Sequence, residues 1–289
     1  MSDKMSSNGL LLFFAVLPVV LILVFVYKKD KDKEPLMLLL SFFFKGIFSC
    51  FLVLTISEIL GEFLPFMNKE VNMMTFTEVF LYAFVGVALV EEFCKWLMVY
   101  FGGYNHREFD EIYDILVYSI FVSLGFAFYE NLLYVFSSGS LSIAILRAVS
   151  AIPGHACDAV FMGYYLSMAK QCRVLKKIDK EKSFIVKSIF IPAILHGIYD
   201  FCLMSGRILF VLVFLVFVVY LYVLSIKKLN KLSGSNRSLN IFLRRPQPAG
   251  MGQMGVQQVA PQQNNNNFCT GCGTRLTGPF CTKCGKRCS

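Results

Sequence analysis

The run Leu10–Tyr27, LLLFFAVLPVVLILVFVY, holds no charged side chain, and Lys28–Glu34, KKDKDKE, follows it at once. At ~1.5 Å per residue, such a run covers most of the ~30 Å hydrocarbon core of a bilayer as one helix. It is longer than the apolar part of a signal peptide and no A-x-A site follows it. The sequence therefore predicts an uncleaved anchor. Including this one, seven apolar stretches can be read: Gly9–Tyr27, Pro35–Leu60, Phe76–Tyr100, Ile112–Phe136, Leu141–Ala169, Phe184–Met204 and Ile208–Ile226. The whole chain agrees, being 56% hydrophobic and 16% charged over 289 residues, with a mean hydropathy of +0.60. A soluble domain of that length needs more charge. The expected fold is an all-α polytopic membrane protein of about seven transmembrane helices, occupying residues 1–232.

Charge sets the orientation. Lys28–Glu34 carries four lysines, Lys170–Ser183 carries six Lys or Arg, and KKLNK follows Ile226. The alternate connections hold little beyond Lys4, Lys69 and Arg207. Positive loops stay inside, so the N-terminus is expected outside and the C-terminus in the cytoplasm. The formal net charge of +9 is then explained by retained loops and anionic lipid, and nucleic acid is the less favoured partner.

Beyond Lys231 the composition shifts to Gly, Pro, Gln and Asn. Residues 233–267 are expected to be a disordered linker. Residues 268–289 form a cysteine module, with knuckles Cys269/Cys272 and Cys281/Cys284 each closed by a glycine. Four thiolates at that spacing suit a structural zinc ribbon, whose folding energy the metal supplies. A disulfide pair fits less well in a reducing cytoplasm. Cys288 is left over, and Cys50, Cys94, Cys157, Cys172 and Cys202 read as small apolar fillers.

The chemistry resides where lipid should forbid it. An ionisable side chain in mid-bilayer costs ~2.5–3.5 kcal/mol or more, so such groups face a shared interior and usually serve function. The third stretch carries Glu91, Glu92 and Lys95, with Glu91 and Lys95 on one helix face. The fourth carries Glu130 and Asn131. The fifth carries His155 and Asp158 three apart, with Arg147 about two turns earlier and Pro153–Gly154 as a weak point for a kink or re-entrant turn. The sixth carries His196 and Asp200 four apart. Each taken singly fits a snorkelling anchor or a helix tie; four helices each with such a group point to one cavity. Counted from the lysine-rich side, Glu92, His155 and His196 come out ~12–21 Å deep and Glu130 ~27 Å deep. Two histidines and several carboxylates suit hydrolysis, either around a catalytic metal such as zinc or by a Glu–His pair acting on water. A proton-coupled transporter using the same acids, or a non-catalytic anchor for the ribbon, are the competing classes.

The order EEFCKW, GFAFYEN, GHACD and HGIYD over residues 10–226 resembles the PrsW family of intramembrane proteases. It is more distantly similar to the CAAX prenyl protease group. The resemblance implies a multi-pass bacterial plasma-membrane protease cutting a membrane protein such as an anti-sigma factor. It also implies that Glu91, Glu92, Glu130, His155 and His196 are catalytic, supported by Lys95 and Asn131, while Asp158 and Asp200 are supporting residues by their spacing from the histidines. The chain departs from the family pattern where Ile115 follows Asp114 in place of glycine and where Ser119 replaces a second glycine.

Overall fold

In a computed structural model the described residues are 2–234 and 239, with side chains from residue 9 onward. The linker and the cysteine module expected at 233–267 and 268–289 lie outside them, apart from the first residues after Leu232 and Leu239. The described chain is helical and lacks strands: α1 Ser2–Lys29, α2 Leu36–Phe63, α3 Phe76–Leu81, α4 Val90–Gly103, α5 Asp114–Ser138, α6 Leu141–Val149, α7 Ala151–Val174, α8 Ile178–Met204 and α9 Ile208–Gly234. A π-helix, Tyr82–Leu89, joins α3 to α4. The expected third crossing is thus helical from end to end but widens in its middle. A capping box starts it: Glu78 N–H donates to Thr75 Oγ1 and Thr75 N–H donates to Glu78 Oε2. Of the remaining described helices, six segments are long and apolar enough to cross a membrane, counting α6 and α7 together as one.

Helix α5 is the axis of the bundle. It is buried on every side from Asp114 to Ala127, and it packs against α2 and α7, while α7 packs against α8. Two glycines make the closest of these approaches. A Cβ on Gly46 of α2 would collide with the Val122 carbonyl of α5, and one on Gly125 of α5 with the Phe43 carbonyl of α2. Small residues that let backbones touch are the usual adhesive between helices in lipid, where burial of apolar surface gives no drive. The outer helices turn apolar side chains outward, including Leu21 and Phe25 of α1 and Leu215 and Val216 of α9. A surface of that kind belongs against hydrocarbon.

The fifth stretch, read as a kinked helix or a re-entrant piece with its weak point at Pro153–Gly154, is divided at Ser150 instead. Pro153 is the third residue of α7, where its missing N–H has no intrahelical partner to lose. Helix α6 is therefore a separate nine-residue piece, standing at the end of the bundle opposite the Lys28–Glu34 loop. The scattered cysteines Cys50, Cys94, Cys157, Cys172 and Cys202 are buried and free, as expected of fillers.

Candidate active site

The acidic and imidazole groups of α4, α5, α7 and α8 meet. On α4, the first turn after the π-helix presents Glu91 and Glu92, and Lys95 follows one turn on. Insertion of a π segment rotates everything after it, and such segments favour functional sites. Lys95 is 1% exposed, and its Nζ donates to Glu92 Oε1 at 2.8 Å and to Glu91 Oε2 at 3.2 Å. The same ammonium lies 3.2 Å from His155 Nδ1 and 4.0 Å from the centre of the Phe126 ring. An ammonium has no lone pair to offer, so His155 Nδ1 must be the acceptor. The proton of a neutral His155 is therefore on Nε2, which points at Glu130 Oε2 at 3.0 Å. The ring is aimed from both sides.

His196 is gripped by carboxylates. Its Nδ1 is 3.1 Å from Glu92 Oε1 and its Nε2 is 3.4 Å from Asp200 Oδ2. Asp158 Oδ2 is 3.9 Å from Nδ1 and Glu91 Oε2 is 3.9 Å from Nε2. The two imidazoles lie edge to face, centres 5.2 Å apart. Every residue expected at the site is thus in one cluster: Glu91, Glu92, Lys95, Glu130, His155, Asp158, His196 and Asp200 touch directly. Asn131 joins through Arg147, whose Nε donates to Asn131 Oδ1 at 2.8 Å and whose Nη2 donates to Glu130 Oε2 at 2.7 Å.

A cavity of about 320 Å³ opens on this cluster, the size of an ordinary ligand pocket. Glu91, Glu130, His155, Asp158, His196 and Asp200 line it, whereas Glu92 and Lys95 do not. The paired glutamates therefore differ: Glu91 faces the cavity, and Glu92 is fully buried behind it. Among the described residues the cavity has one lining cation, Arg147. The sequence placed Arg147 near the site without assigning it there. An arginine within an apolar stretch was the available signal. The tyrosines Tyr82, Tyr134 and Tyr199, also in the lining, carried no signal in a chain this rich in aromatics.

The donor set fits a divalent cation. Glu92, His155, Asp158 and His196 each offer a ligand atom, all within 4.8 Å of one another, and Glu91, Glu130 and His155 form a second such group. Glu92 Oε2 and Asp158 Oδ1 are buried with no hydrogen-bond partner among the described residues. Buried carboxylate oxygens without a donor are costly unless something positive meets them. Mixed imidazole and carboxylate ligands are those of catalytic zinc.

Comparison with known proteins identifies the family. The family model for the PrsW family intramembrane metalloprotease matches residues 34–225. Proteins named Protease PrsW are similar to the chain as well. That of Geobacillus kaustophilus is 38% identical over 172 residues, covering 60% of this chain and 69% of the relative. That of Oceanobacillus iheyensis is 39% identical over 170 residues, covering 59% and 72%. That of Bacillus subtilis is 34% identical over 184 residues, covering 63% and 77%. No solved structure matches the chain. With a membrane-embedded cluster of acids and histidines around one cavity, and a family match over most of the helical bundle, the chain belongs to the PrsW family of intramembrane proteases.

Proposed function

We propose that Glu91 is the proton acceptor in hydrolysis of a peptide bond of a single-pass membrane protein, an anti-sigma factor by the resemblance set out above. The supporting observation is the split between the paired glutamates: Glu91 opens on the cavity beside His196 and Asp200, while Glu92 is enclosed. Glu91 takes a proton from water, whose oxygen bonds to the scissile carbonyl carbon. The C–N bond then breaks and Glu91 returns the proton to the leaving nitrogen. Glu130 spends Oε2 on His155 and Arg147. Its Oε1 makes no hydrogen bond among the described residues and is free to accept one from a substrate N–H.

Glu92, Asp158 and His196 would hold a catalytic zinc, their two orphaned oxygens being the unused donors. His155 Nδ1 is already engaged by Lys95, which makes His155 the secondary member of that set. A bound divalent ion supplies the charge that makes water acidic and polarises the carbonyl. Lys95 keeps Glu91 and Glu92 oriented, and Asp200 holds the His196 ring. In this reading the lysine-rich loops and the C-terminal module, a zinc ribbon on Cys269, Cys272, Cys281 and Cys284, lie in the bacterial cytoplasm.

The test is Glu91→Gln in full-length protein reconstituted with a single-pass reporter. The expected result is loss of at least ~10³-fold in cleavage rate, the general-base contribution, with the fold retained because Lys95 keeps Glu92 as its partner. Cleavage at the unsubstituted rate removes Glu91 from the chemistry.

A further inference from the structure

We infer that Arg147 is a positioning residue for the reaction, acting through Glu130. The inference rests on the reading that Glu130 meets the substrate. Arg147 sits in the last turn of α6, and everything it grips belongs to α5: Glu130, Asn131 and the ring of Tyr134, whose centre is 4.1 Å from the guanidinium carbon. Nη2 and Nε reach a carboxylate and a carboxamide on adjacent residues at once. Only a planar fork does this, and a lysine ammonium cannot span both and stack as well. The group is only 16% exposed. It is the one cation in the described cavity lining, so it is not replaced by a neighbour when lost.

What Arg147 fixes is a choice of oxygen. Arg147 and His155 both donate to Oε2 of Glu130. That holds the carboxylate plane and turns Oε1 toward the open volume. Without Arg147, the single His155 bond is left to set the plane, and the carboxylate can rotate about it. Misplacement of a positioning group by ~1 Å costs up to ~10²-fold in rate. The position of the arginine also has a consequence for the fold. Helix α6 carries exposed Leu141, Ile145, Leu146 and Val149, and the chain breaks after it at Ser150. The hold on α5 adds to the packing of this short helix on α1, where Ala144 is buried with Leu11 and Val135.

The experiment is a double-mutant cycle on the full chain in proteoliposomes with the same single-pass reporter: unsubstituted, Glu130→Gln, Arg147→Met and the double variant. Arg147→Met is expected to lose about 10–100-fold in kcat. The double variant should be no slower than Glu130→Gln alone, because there is no carboxylate left to position. Arg147→Lys should fall between. Millimolar guanidinium should return at least about fivefold of the rate to Arg147→Ala and none to the double variant. A purely structural role predicts otherwise: a fall in melting temperature, losses that multiply with those of Glu130→Gln, and no response to guanidinium. That pattern, or full activity of Arg147→Met beside an inactive Glu130→Gln, overturns the inference alone. Full activity of Glu130→Gln overturns the reading of Glu130 and the inference with it.

Discussion

The bundle buries carboxylates at two levels and treats them in opposite ways. At the cavity each acid has a cation or imidazole against it: Lys95 between Glu91 and Glu92, Arg147 and His155 on Glu130, His196 between Glu92 and Asp200. At the lysine-rich end, Asp30 and Glu34 of the α1–α2 connection and Asp114 at the start of α5 are 2%, 6% and 1% exposed. Yet among the described residues Asp30 Oδ1 and Oδ2, Glu34 Oε2 and Asp114 Oδ1 make no hydrogen bond of good geometry. The nearby hydroxyls of Tyr113 and Tyr118 make none either. A buried acid can be kept charged by a partner or relieved of charge by a proton. The cavity uses partners. At the other end burial pushes Asp30 and Glu34 toward the protonated form.

The largest expected effect comes from breaking the first arrangement. Lys95→Met leaves two buried carboxylates and a histidine without their shared cation. Removing one member of a buried ion pair costs ~3–5 kcal/mol. For a domain of this size that is a fall in melting temperature of roughly 10 °C or more. Lys95→Met/Glu91→Gln/Glu92→Gln should regain most of that loss and remain inactive. Thermal unfolding in detergent decides it. A single Lys95→Met variant as stable as the unsubstituted chain means the acids are not held charged, and the contrast between the two levels disappears.

A moderate effect is expected at the other end. Burial, helped by the charge of Glu111, pushes Asp30 up to about 6 from an ordinary 3.8. Lys33 and two backbone N–H groups, of Lys31 and Glu34, oppose the shift. Burial likewise pushes Glu34 up to about 7 from 4.5, with Asp30, Glu108 and Asp110 adding to it and the Tyr118 hydroxyl opposing. The folded state thus holds more protons than the unfolded chain between about pH 4 and 7, so stability must fall as pH rises through that window. The melting temperature should be higher at pH 5 than at pH 8. Asp30→Asn/Glu34→Gln should flatten that slope and melt several degrees higher than the unsubstituted protein at pH 8. A slope unchanged by the pair assigns the pH dependence to other groups.

Much of this was legible in the residues, and the exceptions have identifiable causes. Hydropathy located the apolar helices because a bilayer imposes length and composition together. The spacing of Glu91 and Lys95 gave their ion pair directly, at i,i+4, and the shorter Glu92–Lys95 pair at i,i+3 came with the structure. Depth was misjudged because apolar stretches were taken as helix ends. Helix α7 runs on to Val174 and α8 starts at Ile178, carried past the apolar core by their lysine-bearing turns. The structure brings Glu92, Glu130, His155 and His196 to one level, Glu130 touching His155 and Glu92 touching His196. The π-helix had no sequence mark, since its residues are as apolar as those of any other turn. The break at Ser150 was hidden by the more conspicuous Pro153. Arg147 was visible as a charge, but its partners on α5 depend on where α6 folds back, and no local pattern encodes that.

The smallest expected effect tests whether the cavity depends on the cysteine module. Replacing Cys269, Cys272, Cys281 and Cys284 by serine in the full chain removes the proposed four-thiolate site. Those residues follow the long polar run after Leu232, and the described core is drawn from residues 19 to 239. The melting temperature of the bundle and its pH slope should therefore change by less than about 2 °C. Metal content, measured on purified protein, should fall by one zinc and leave a fraction that Glu92→Gln/His196→Ala then removes. The order matters, because a structural thiolate site binds far more tightly than a mixed carboxylate and imidazole site and would mask it. Loss of all metal with the four serines, while cleavage continues at the original rate, assigns water activation to Glu91 without an ion and leaves the orphaned oxygens of Glu92 and Asp158 to be met by protons, as at the lysine-rich end.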